Sequence, residues 1–199
     1  TVSGVLSSDW HVVYQDQNIC AVRGSSVIIL CSFYYPEEET VQSVKWGHER
    51  NDVFDGPFIY DSVIKNNTNT SSRFHYIGDK KHNCSFQILH VTHNDTGKYV
   101  FRFITNSRKG RFTGAEGSTL QVVDLEILMS NENQTFKEGD SVNLTCVSCD
   151  SGLPSELIWL KNGRAIHEGR VLYLGNISSM SSGDYVCSLR DTQGQPQEP

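Results

Sequence analysis

The chain has 199 residues, enough for one large domain or two of about 100 residues each. Its 17 Lys and Arg against 23 Asp and Glu give a formal net charge of −6. That balance argues against a general nucleic-acid or anionic-membrane binder, both of which need a broad basic face, so any anion site must be local.

Helical periodicity is almost absent, and short alternating runs separated by Gly, Asn, Asp and Ser dominate. Trp10 falls at the start of the first extended run, in SSDWHVVYQDQNIC. Ser25–Phe33 follows, with Val27, Ile29 and Cys31 alternating inward, and then Gln42–Trp46. Residues 47 to 70 are polar and rich in Asn, and read as edge strands and loops. Arg73–Ile77 is a further strand, followed by one on which Cys84, Phe86 and Ile88 face inward. The segment NDTGKYVFRFITNSRKGRFT, residues 94–113, carries Tyr99, Phe101 and Phe103 on one parity and Arg102 on the other. From Lys98 to Arg111 it holds five basic residues and no acidic one. An outward arginine in a locally positive strand is what an anionic ligand needs. Thr119–Val123 completes the first domain.

Trp46 stands 15 residues after Cys31, and Asp95-x-Gly97-x-Tyr99 opens the basic strand. Both features resemble an immunoglobulin sandwich, with Trp on strand C and the tyrosine corner entering strand F. On that pattern Arg73 pairs with Asp95. The strand-F cysteine expected two residues after the tyrosine is replaced by Phe101. A second unit starts near Asp124, where Cys146, Trp159 and Tyr185-Val186-Cys187 repeat the order in a more compact form. The fold expected is all-β: a V-set immunoglobulin-like domain over residues 1–123 and a C2-set domain over 124–199.

Cys146 and Cys187 fit the ordinary bridge between facing sheets. With Phe101 in place of the usual cysteine, the partner left to Cys31 within its domain is Cys84, on a neighbouring strand of the same sheet. Cys20 and Cys149 remain, one in each domain, and an inter-domain bridge uses both. Each bridge stabilises by roughly 2–4 kcal/mol. Seven Asn-x-Ser/Thr sequons, at Asn66, Asn69, Asn83, Asn94, Asn133, Asn143 and Asn176, join the even cysteine count in pointing to the secretory pathway. No run of about 18 apolar residues is present. The chain therefore reads as the processed extracellular part of a cell-surface protein whose transmembrane segment lies outside it.

Enzyme chemistry finds no foothold. None of the seven histidines sits in a nucleophile or metal motif, and no Gly-rich phosphate loop runs from strand to helix. Cys146-x-x-Cys149 lacks a second free pair to complete a zinc site. Neither metal nor cofactor is expected.

Trp10, Cys31 with Cys84, the Tyr-Val-Phe-Arg-Phe run at 99–103, and Cys20 with Cys149 together resemble the Siglecs, the sialic-acid-binding immunoglobulin-like lectins, over essentially the whole chain. The resemblance implies that Arg102 grips the carboxylate of a sialic acid. It implies that Trp10 packs on the N-acetyl group and Phe112 on the glycerol side chain, while backbone groups around Arg111 and Thr113 hydrogen-bond the sugar. The partners implied are sialylated glycans on glycoproteins or glycolipids. Two departures stand out: the family's strand-G aromatic is often Trp rather than Phe, and its inter-domain cysteine usually lies near position 26 rather than 20. The alternative is an immunoglobulin-type adhesion or immune receptor that binds a protein surface independently of sialic acid.

Overall fold

Period-two alternation of apolar residues decides the architecture, since it gives each strand one face to bury and one to leave. The computed structural model describes residues 10–48, 58–64, 72–130, 135–149 and 157–190. The chain divides into two compact units: residues 1–21 with 26–121, and residues 22–25 with 122–199. The division thus falls two residues before the sequence-based boundary, and a four-residue turn near the N-terminus belongs to the second unit.

The strands of the first unit are β1 (His11–Tyr14), β2 (Asn18–Val22), β3 (Val27–Ile29), β4 (Cys31–Tyr34), β5 (Val41–His48), β6 (Tyr60–Asp61), β7 (Phe74–Tyr76), β8 (Phe86–Ile88), β9 (Gly97–Thr105), β10 (Arg111–Thr113) and β11 (Ser118–Val123). One sheet runs β2-β11-β9-β5-β6, with β10 also paired to β9. Opposite it lie β3-β8-β7 and the pair β1-β4. The expected single strand from 25 to 33 is broken at Leu30, because β3 pairs with β8 while β4 turns to pair with β1.

Ile29, Phe33, Trp46, Phe86, Phe101 and Phe103 are fully buried between the sheets. Cys31 on β4 and Cys84 just before β8 are disulfide-bonded on the same side of the sandwich, with Cα atoms 4.9 Å apart, and the expected common sheet is instead two, β1-β4 and β3-β8-β7. No bridge therefore ties the facing sheets at Phe101. Its ring instead lies 5.1 Å from that of Phe33 and 5.5 Å from that of Trp46. A fully buried Phe contributes about 1.5–3 kcal/mol. That is comparable to the roughly 2–4 kcal/mol of a disulfide, so ring packing can replace the missing staple.

The second unit has β12 (Glu126–Met129), β13 (Val142–Val147), β14 (Leu157–Lys161), β15 (Arg164–Glu168), β16 (Val171–Leu174) and β17 (Tyr185–Leu189). They form two three-stranded sheets, β12-β13-β16 and β15-β14-β17. Cys146 and Cys187 bridge these sheets, and Trp159 lies buried directly beside Cys187. Both units are therefore immunoglobulin sandwiches. Each has its tyrosine corner: Tyr99 donates to the Asp95 carbonyl and Tyr185 to that of Ser181, both at 2.7 Å.

Arg73 clamps Asp95 with two hydrogen bonds, of 2.8 and 3.1 Å. Burial alone would raise the Asp95 carboxyl, but the Arg73 guanidinium and the Thr92 N–H outweigh it and hold it below the usual carboxylate range. A carboxyl depressed on folding stabilises above the unfolded value of about 4 and stops doing so as pH falls through its folded value. Urea midpoints measured from pH ~6 down to ~2 should therefore fall more steeply for the native chain than for Asp95→Asn. Parallel curves would show that Asp95 takes no part in acid unfolding.

Candidate functional site

Arg102 sits near the middle of β9, between β10 and β5. Packing of Tyr99, Phe101 and Phe103 into the core leaves it no choice but the outer face. The register then sets one row across four strands. Thr113 on β10 lies opposite Arg102, Lys45 on β5 lies on its other side, and Asp61 on β6 lies opposite Lys45. Arg102 Nη1 donates to Thr113 Oγ1 at 2.9 Å. Lys45 Nζ meets Asp61 Oδ2 at 2.8 Å and rests 4.4 Å from the centre of the Phe58 ring.

The row keeps the outward direction expected of Arg102 but encloses it. Arg102 is only 5% exposed, and Val100 on the same face is buried as well. A guanidinium at that depth loses much of its hydration, so each directed acceptor counts for more than it would in water. The Lys45 and Asp61 side chains are 19% and 5% exposed. Two cations side by side on neighbouring strands repel, and Asp61 offsets that by neutralising Lys45. Chemically, the row offers a planar, permanently charged donor suited to a carboxylate.

The other residues singled out in the sequence fall in two groups. Arg111 lies opposite Ile104, on the same face as Arg102, and is exposed. Phe112 lies opposite Phe103 and so shares its face rather than that of Arg102. The Trp10 ring stacks on Phe103 at 5.5 Å and 9°, and the Phe112 ring lies 6.1 Å from Phe103. The structure thus brings Arg102 and Thr113 together directly, and gathers Trp10 and Phe112 around Phe103. Both aromatics are only partly buried. Much of the polar stretch from 47 to 70 lies outside the described residues, Asn66 and Asn69 with it, as does Asn133. Asn83, Asn94, Asn143 and Asn176 are exposed. None of the cysteines is free, Cys20 and Cys149 included. Among the described residues no cluster of His, Cys, Asp and Glu could hold a metal.

Lys45, Asp61 and Tyr14 were missed by sequence reasoning. Lys45 is signalled by its place before the inward Trp46, and Asp61 by nothing in its polar surroundings. The buried Tyr14 hydroxyl accepts from the Phe101 N–H and donates to the Gly114 carbonyl, both at 2.8 Å. It thereby bridges β9 to the chain leaving β10, one residue before Arg102 and one after Thr113. Burial pushes its phenol well above the usual value, so it stays protonated and able to donate. Gly114 has no side chain for a steric reason: a Cβ would come within 2.6 Å of Val12 Cβ and 2.8 Å of the Tyr14 hydroxyl.

Fold and site together define an immunoglobulin-type receptor segment with a candidate ligand face on its first unit. A family profile described as B-cell receptor CD22-like, first Ig-like, matches residues 21–124, and an immunoglobulin-domain profile matches 132–198. The chain belongs to the Siglec family, which comprises receptors and lectins rather than enzymes. It is 27% identical over 156 residues to human sialic acid-binding Ig-like lectin 12, covering 72% of this chain and 26% of that protein. Mouse myeloid cell surface antigen CD33 is 28% identical over 210 residues, covering 98% of this chain and 48% of that protein. Mouse B-cell receptor CD22 is 32% identical over 74 residues, covering 36% of this chain and 8% of that protein. The chain therefore spans between about a quarter and a half of the first two. No helix among the described residues is long and apolar enough to cross a membrane.

Tyr14→Phe should leave the Phe101 N–H and Gly114 carbonyl without their bridge, at a cost of roughly 1–3 kcal/mol. Urea unfolding of the whole chain measures it, and an unchanged midpoint would mean that β9 and β10 close directly.

Proposed function

We propose that this chain is the extracellular, ligand-binding part of a cell-surface lectin whose first unit binds terminal sialic acid on glycoproteins or glycolipids, serving cell adhesion and immune-cell recognition. The observation that carries the reading is the Arg102 guanidinium, held on the central strand beside the Thr113 hydroxyl at 2.9 Å. In this role Arg102 takes the carboxylate through two parallel N–H donors, which Lys cannot offer. Thr113 and Arg111 contribute backbone groups to the sugar, while Trp10 and Phe112, gathered around Phe103 rather than on the Arg102 face, offer apolar surface only to the part of the ligand that reaches past β10. Charge-assisted hydrogen bonds of about 1.5–3 kcal/mol each leave a single monosaccharide with a Kd on the order of mM. Useful adhesion then comes from many receptors meeting many glycans.

The exposed Val13, Ile28 and Leu30, on the side of the first unit formed by β1-β4 and β3-β8-β7, favour a second reading, a protein ligand bound without regard to sialic acid. A glycan array probed with the native chain, Arg102→Ala and Arg102→Lys separates the two, with circular dichroism confirming the fold of each. The lectin reading expects sialylated glycans alone to bind, Ala to abolish binding and Lys to weaken it at least tenfold. Undiminished binding by a folded Ala variant would sink it. The pairing of Cys20 with Cys149 belongs to the same proposal, and peptide mapping under non-reducing conditions should recover both cysteines in one linked peptide; either cysteine linked elsewhere would refute it.

A further inference from the structure

The outer face of β12-β13-β16, in the second unit, carries an apolar surface with a glycosylation signal at its centre. Asn143 and Thr145, the first and third residues of one sequon, both point outward on the middle strand β13, while Leu144 between them is buried. The register places Tyr173 opposite Asn143, and places Leu128 and Val171 on either side of Thr145. These three side chains are 64%, 46% and 43% exposed. An apolar row on a sheet face is costly to leave in water, and a bulky polar cover removes that cost.

Tyr173 is also held for the purpose. Its hydroxyl donates to Ser141 Oγ at 3.1 Å. Its ring lies across Gly175, where a Cβ would approach ring atoms to 2.9 Å. The ring thus has a fixed place next to Asn143 and pays little further entropy when something stacks on it. The apolar face of a pyranose, lined by axial C–H groups, is the natural complement of an aromatic face.

We propose that Asn143 carries an N-linked glycan whose first N-acetylglucosamine packs against Tyr173 and covers the Leu128–Val171 row. The glycan is then a structural part of the second unit. By contrast, Asn176 lies in a turn where its sequon hydroxyl, Ser178 Oγ, already accepts from the Met180 N–H, and it carries no such role.

The test uses the whole chain secreted from eukaryotic cells. Peptide mass spectrometry should find Asn143 occupied. Hydrogen exchange of β13 and β16 amides is then compared for the native chain, Asn143→Gln, Tyr173→Ser and the double variant. Loss of either the glycan or the ring should lower protection by roughly three- to tenfold, and the second loss should add little to the first. Trimming with an endoglycosidase that leaves one N-acetylglucosamine should keep the protection. Asn176→Gln serves as a control and should leave these amides unchanged. An unoccupied Asn143, protection unaffected by Asn143→Gln, or fully additive effects of the two substitutions would each overturn the proposal.

Discussion

A pleated strand cannot show one side chain to both faces, and the candidate site rests on that restriction in β9. Tyr99, Phe101 and Phe103 are fully buried on one side, so Arg102 must emerge on the other. Slipping the strand by one residue would drive a guanidinium among Phe33 and Trp46 and expose three aromatic rings. The rings alone would forfeit about 1.5–3 kcal/mol each, before the cost of an uncompensated buried charge. The register is therefore fixed by the core, and the arginine is placed by what its neighbours bury. Tyr14 completes the arrangement by bridging the ladder between Phe101 and Gly114, so that Thr113 lands beside Arg102.

The two units solve one packing problem in two ways. The second keeps a disulfide between its sheets and sets Trp159 beside it. The first keeps its disulfide to one side of the sandwich and fills the space between the sheets with Phe101, Phe33 and Trp46. Rings need width where a disulfide fixes the separation, and their stacked neighbours extend to the sheet edge through Phe103. That is why Trp10 and Phe112 find their ring partner there.

Most of the fold was legible because burial follows a period of two. The inward sets on β3, β4, β8 and β9 and the repeated Cys, Trp, Tyr order arise from local spacing, whereas the Arg73–Asp95 clamp was expected from the immunoglobulin pattern. The site was legible only in part. Which residue faces Arg102 across the hairpin depends on how residues 106–110 turn, and local spacing does not state it. Counting forward reaches Phe112 as readily as Thr113, yet only Thr113 shares the arginine's face. Lys45 and Asp61 needed the register of two further strands. The burial of Arg102 could not be read at all, since outward parity says which face a residue takes and nothing of what covers that face.

The row across the sheet also bears on the kind of anion that suits it. With Asp61 held against Lys45, the row's two cations carry a single excess positive charge, in a chain whose formal net charge is −6. At physiological salt charges are felt over about 8 Å, so the chain's distant acidic residues are largely screened from the guanidinium, which acts at hydrogen-bond range. Arg111 on the same face, with Arg108 and Lys109 in the adjoining hairpin, keeps the immediate neighbourhood positive within the acidic chain. The geometry that sets Arg102 apart from those surface bases is its depth, since it is 5% exposed while Arg111 stands open to solvent. A planar carboxylate suits the two parallel donors of a guanidinium held at that depth.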